Sequence, residues 1–437
     1  MDTLISNVTV VTMNERMEVL FGASIGITGG KITSISKEPP TEKPATIIDG
    51  TGMVAIPGLI NCHTHLATAA LRFLLDDEAN RSALEVLLQK EARMDARCAK
   101  AAATLGIAEC LRFGVTSVSD LYYYPEATAQ AADEAGIKAN LALSAYRFEA
   151  AEEEFDFETD PQCREVVRLA EKWNGHDDGR IRIDCGIYAE YTSNHPLWEG
   201  LAAFAKEKGL GFQLHLSESA REAEECLDRT GLAPAEILGC HGVLDVPVTA
   251  AGCGGLTEEE KTLLGKRKAT AVALPLTDAK QGRSCAAISS CVKAGMNVAL
   301  GTGGAVECGN MDLFSVMRGA VNAERLAAGK GDAMPSQAAL MMATVCGARA
   351  QGRSDECGML KVGMDADIAL VDFSAPHLIP CHNVIGGLVF GAQGGDVAMT
   401  MVRGKILYQN GCFPTLDLKG AVEELTGYAM GKLFDKE

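Results

Sequence analysis

No stretch of this 437-residue sequence reaches the roughly 18 to 20 consecutive apolar residues that a membrane-spanning helix requires, and no basic-then-apolar leader follows Met1. A cytoplasmic protein without a membrane partner is expected. The 15 cysteines include no C-x-x-C pair, and many sit in apolar stretches such as 108–111 (Ala-Glu-Cys-Leu), so they read as reduced, buried small residues. Positive charge is also scarce: 40 Lys and Arg against 58 Asp and Glu give a net charge of -18. Nucleic acid is excluded as a partner, because the cations that would neutralise phosphates are missing. A small neutral or cationic molecule is the expected ligand. Absent too is a G-x-G-x-x-G after the first long strand, which argues against a dinucleotide site.

What is present is ample core material, with 47% hydrophobic and 22% charged residues. From about residue 53 to 341, short apolar runs alternate with helical patterns, the mark of a parallel sheet covered by helices. The runs are 54–62, 116–121, 138–144, 181–188, 211–216, 237–240, 271–275 and 297–301. Eight such units predict a closed (β/α)8 barrel, assigned to residues 53–357. Both chain ends carry strand pairs joined by glycine-containing turns, at Gly29-Gly30 and Arg403-Gly404. Residues 1–52 and 358–415 are therefore expected to form one small β-sandwich domain, followed by a helix over 416–437.

The first barrel run ends in His63-Thr64-His65. Alternation along a strand points both imidazoles the same way, toward the barrel mouth where such folds place their chemistry. His215 lies near the end of the fifth run and His241 follows the sixth, so four of only eight histidines fall at strand ends. As a set they read as metal ligands or water-orienting groups. Glu218, three residues past His215, stands where a carboxylate could move protons between water and substrate.

With these histidines come a helical Ala338–Thr344 stretch, Gly347-Ala348, the series Gly358-Met359-Leu360, Gly363 and Ala366-Asp367-Ile368, and His382-Asn383. The chain thereby resembles the amidohydrolase superfamily along nearly its whole length. The likeness is to its cytosine/adenosine deaminase-like and triazine hydrolase-like branch, which holds the S-adenosylhomocysteine/methylthioadenosine deaminases. The resemblance implies one divalent metal on His63, His65 and His215, a water- or substrate-positioning His241, and Glu218 as proton shuttle. It also implies a homodimer that hydrolytically removes an amine or another leaving group from a small N-heterocycle. Zinc is the expected metal, and imidazole ligands also accept iron or manganese.

The resemblance breaks at the eighth run, where Gly303 stands in place of an expected aspartate. Glu307 or Cys308 reaching in from the next loop, water in the vacant place, or loss of catalysis are the alternatives. The last would make the chain a non-catalytic binding or regulatory homologue. Tyr188 replaces a histidine carried by relatives that act on adenosine derivatives, and Asp76 stands near a carboxylate that in the family binds ribose hydroxyls. Both enter the substrate-contact candidates beside Glu307.

Overall fold

The computed structural model describes residues 1–38, 43–76, 81–147 and 155–434. Eight parallel strands form the central layer: Leu59–His65, Val115–Tyr122, Lys138–Leu143, Ile181–Gly186, Phe212–Leu216, Val248–Gly252, Thr270–Ala273 and Asn297–Leu300. Each pairs with its sequence neighbour. The ring closes because the eighth strand's continuation, Gly303–Gly304, pairs with Thr64 and His65 of the first. The chain is thus a (β/α)8 barrel, with helices such as Ala96–Arg112, Pro161–Trp173 and Leu313–Ala328 on its outside.

Local chemistry sets the element ends. Thr257 and Glu260 form the expected reciprocal cap, each side chain accepting from the other's backbone N–H at 3.2 and 2.9 Å. Asp312 caps Leu313–Ala328 by accepting from the Phe314 N–H. Gly58 divides the predicted first strand in two. A Cβ there would stand 2.1 Å from the Thr116 side chain, so only glycine lets the chain leave the end sheet at Pro57 and enter the barrel at Leu59.

The expected sixth strand is the main correction. Residues Pro234–Cys240 form a helix, started by Pro234 in its first turn and by Glu236 accepting from the Ala233 N–H. The sixth strand is instead Val248–Gly252, in register with His215 through Ala251. A short apolar run bounded by proline and glycine suits either state, and here the proline start decided it.

The two chain ends build one continuous eight-stranded mixed sheet. Its first strand, Thr3–Val11, is shared: Thr3 to Ser6 pair with Thr46–Asp49, while Thr9 and Val10 pair with Val54 and Ala55. Both expected hairpins are present, with Thr28 opposite Lys31 and Val402 opposite Lys405. Arg403 and Gly404 both take positive φ, as a two-residue turn of this hand demands. The sheet encloses its own core around Ile5, Ile25, Ile368 and Met401, and the helix Leu418–Glu424 continues as helical turns to Phe434.

Candidate metal centre

His63 and His65 leave the end of the first strand on one face, and His215 meets them from the fifth. Their Nε2 atoms converge, at 3.1 Å between His63 and His215 and 3.2 Å between His65 and His215. The outer nitrogens are held by backbone: His65 Nδ1 donates to the Leu121 carbonyl at 2.7 Å and His215 Nδ1 to the Tyr188 carbonyl at 2.8 Å. A proton on these two Nδ1 atoms leaves the Nε2 of His65 and of His215 as a lone pair, and both point to where His63 Nε2 lies. All three rings are buried, and burial holds His63 and His215 below the usual imidazole range. The lone pairs of His65 and His215 at this spacing repel unless a cation lies between them, and His63 Nε2 is placed to share that cation. Tetrahedral zinc with ligand bonds of about 2.0–2.1 Å would set its donors about 3.3 Å apart, so the cluster fits a divalent metal.

The loops are braced for this arrangement. Asp120, at the end of the second strand, accepts from the Thr64 hydroxyl at 2.9 Å and the Leu66 N–H at 2.7 Å, fixing the segment that carries His65. Glu222 accepts from the Ser217 and Glu218 N–H groups at 2.9 and 2.8 Å, holding Ser217 at positive φ just after His215. Burial, with the Glu218 charge beside it, pushes the Glu222 carboxyl up to about 7.

Among the other expected residues, Glu307 is brought to the site. Its carboxylate accepts from the Gly304 N–H at 2.8 Å, and a Cβ at Gly303 would stand 2.6 Å from its Oε2. Glu307 therefore fills the space that an aspartate at 303 would take. Cys308, the other loop candidate, is buried enough that its thiol is pushed up to about 12 and stays protonated. Glu218 pairs with Arg283 at 3.2 Å. Tyr188 packs beside the cluster, its ring tilted at 40° and centred 4.6 Å from that of His215. Asp76 pairs instead with Lys280 at 2.5 Å, tying the loops after strands one and seven.

His241 does not join the cluster. It caps the end of the Pro234–Cys240 helix, bonds Glu199 through Nδ1 at 2.7 Å and stacks on His195 at 4.1 Å. The sixth strand itself ends in Gly252, which has positive φ and would set a Cβ 2.7 Å from Glu218 Cγ. The end of strand six thus offers no imidazole, and Glu218 lies against the bare backbone.

Sequence reasoning missed two parts of the site. Asp278 and Arg283 follow the seventh strand, 3.6 Å apart, and neither Asp278 oxygen has a hydrogen-bond partner among the described residues. Burial raises Asp278 to about 7 against the pull of Arg283. A cavity of about 770 Å³ is the other, lined by Tyr123, Tyr124, Tyr146, Tyr188 and Tyr191 with Glu91 among them. A narrower recess shares Glu91, Tyr123 and Tyr188 with it and reaches His65 and Glu307. The run Tyr122-Tyr123-Tyr124 at the end of the second strand was the available sequence signal.

Residues 54–407 match the amidohydrolase family. The chain is 33% identical to a 5-methylthioadenosine/S-adenosylhomocysteine deaminase of Thermoanaerobacter pseudethanolicus, across 96% of each chain. It is equally 33% identical to a 5'-deoxyadenosine deaminase of Methanosarcina acetivorans, over 97% of this chain and 96% of that one. An adenosine deaminase from Xanthomonas campestris with bound zinc superposes with a TM-score of 0.91 at 26% identity, covering 99% of this chain and 98% of that one. A zinc-complexed atrazine chlorohydrolase from Arthrobacter aurescens gives 0.88 at 26%, covering 98% and 100%. With a barrel closed beside a three-histidine cluster and these relatives spanning almost its full length, this chain belongs to the amidohydrolase family and is a hydrolase of carbon–nitrogen bonds other than peptide bonds.

Proposed function

We propose that this chain holds one divalent metal on His63, His65 and His215 and hydrolytically deaminates a small N-heterocycle. The observation that carries the reading is the convergence of three Nε2 atoms, with the outer nitrogens of His65 and His215 pinned by carbonyls. A divalent metal in such a place lowers the pKa of water toward about 7 and polarises the bond to be broken. The remaining work falls to the chain. Glu307, in the space opened by Gly303, takes the water's proton. Glu218 carries a proton to the ring nitrogen and the leaving amine, and Arg283 positions its carboxylate. Tyr188 packs on the His215 side and excludes bulk water from the cluster.

Zinc is the metal we propose, since the donors are imidazoles and the zinc-bearing neighbours share the fold. A cytoplasmic homodimer completes the reading by family likeness. The relatives' names make 5'-deoxyadenosine, 5-methylthioadenosine and S-adenosylhomocysteine the first substrates to assay. The second reading, a binding protein with a degenerate site, is favoured by the glycines at the ends of strands six and eight.

Metal analysis of protein purified without added metal separates the two. About one ion per chain is expected, lost in His63→Ala and His215→Ala. Glu218→Gln is expected to keep the metal and lower turnover by about 10² or more. Metal-free wild-type protein that stays empty after zinc supplementation would overturn the catalytic reading.

A further inference from the structure

The large cavity beside the metal centre has an unusual lining. Five of the protein's eight tyrosines border it, while its acidic lining residues are Glu165 and Glu91, the latter pushed up to about 7 by burial, with no lysine, arginine or histidine among those described. Two pairs form aromatic corners. Tyr123 and Tyr146 meet edge to face, 5.9 Å between ring centres at 89°, and Tyr188 and Tyr191 lie 6.3 Å apart at 77°. Glu165 already pairs with Arg168 at 2.5 Å, whereas Glu91 accepts from the Tyr122 hydroxyl, a neutral donor, at 2.8 Å. Glu91 and Tyr188 also line the recess that leads to His65.

Ring faces carry negative potential, and rings at right angles present it from two directions to a group placed in the corner. A compact cation that holds its water weakly gains most from such a corner, because little hydration is lost on entry. Quaternary ammonium and sulfonium groups have that character, whereas a carboxylate or phosphate would meet acidic neighbours and no counter-charge. The whole-chain charge of -18 adds a field of the same sign. A cavity of about 770 Å³ holds far more than one such group, so the cation is one end of a larger molecule.

We infer that the tyrosine-lined cavity binds the onium end of the ligand, a quaternary ammonium or sulfonium, while its heterocyclic end reaches toward His65 and Glu307 along Tyr188. The placement of the heterocycle rests on the proposed function, but the cation site does not. Binding therefore tests it without turnover.

The experiment is titration calorimetry of the full-length protein with choline and with 3,3-dimethyl-1-butanol, its neutral carbon isostere. Choline is expected to bind at least about tenfold more tightly, the scale of cation–π attraction in a partly desolvated site. Tyr146→Ala and Tyr191→Ala change exposed side chains that leave the core intact. Each is expected to cut the choline preference several-fold while leaving the affinity for the alcohol and the metal content unchanged. Equal binding of the two probes, binding of neither, or choline affinity unchanged in both variants would overturn the inference. Loss of metal or of hydrolysis alone would count against the proposed function and leave the cation site standing.

Discussion

At the scale of single residues, Gly303 and Glu307 act as a reciprocal pair. The glycine leaves a space, and the glutamate four positions on folds back into it, held by the Gly304 N–H at 2.8 Å. Putting an aspartate at 303 would then crowd one carboxylate against another, at a position whose φ of +67° already strains any side chain. Gly303→Asp is expected to lower metal retention and turnover rather than restore them, whereas Glu307→Gln should weaken metal retention while the fold persists. Elemental analysis after dialysis reads both, and a gain of metal in Gly303→Asp would show that Glu307 is not the replacement. Asp278 gives a second residue-scale expectation. Burial raises its carboxyl to about 7, above its unfolded value, so it favours the folded state most at low pH. That contribution falls between about pH 4 and 7 and is lost above it. Relative to the parent, Asp278→Asn should therefore gain thermal stability as pH rises from 5 to 8, with Arg283, Glu218 and Glu307 the charges that face it. A difference that stays constant across that range would remove Asp278 as the titrating group.

At the scale of elements, the sequence read well wherever periodicity and end signals agreed. The H-x-H pair had to face one way because a strand alternates, and the structure sets both imidazoles against His215. Seven of the eight barrel runs overlap observed strands for the same reason. The sixth failed because Ile237 to Cys240 is short and apolar, and period cannot separate about one turn of buried helix from a strand of that length. The error carried His241 with it. A histidine after a supposed strand pointed into the mouth, while one ending a helix stacks on His195 far along the chain. Arg283 and Asp278 were invisible for another reason, since Glu218, which Arg283 pairs with, comes from a different βα unit and no spacing rule links the three. The expected outcome for His241→Ala follows from this placement: metal content and turnover within about twofold of the parent, as surface changes away from a site usually are. A loss of bound metal in that variant would contradict the position of the helix.

At the scale of the molecule, the barrel and the end sheet are joined by charge as well as by apolar packing. Lys138, fully buried at the start of the third barrel strand, bonds Asp365 at 2.8 Å and Asp367 at 2.6 Å. Asp365 also meets Lys31 at 2.8 Å and Arg403 at 3.3 Å, so one carboxylate collects a barrel strand and both hairpin turns of the end sheet. Burial alone would raise it, yet Lys138 and Lys31 hold it down to about 2. Its contribution to stability is then present above the ordinary aspartate range and lost only as pH falls toward 2. Removing the lysine leaves Asp367 buried with, among the described residues, only the Arg403 backbone N–H as its donor. Stripping one partner from a buried pair costs about 3–5 kcal/mol, far more than an exposed pair contributes. Lys138→Met keeps an unbranched side chain and should lower the unfolding free energy read from chemical denaturation by that amount, with a lower midpoint and with metal content unchanged because Lys138 stands at the opposite end of the barrel from the histidines. Should the variant unfold at the parent's midpoint, apolar packing alone would hold the two layers together, and the ion cluster would set only their register.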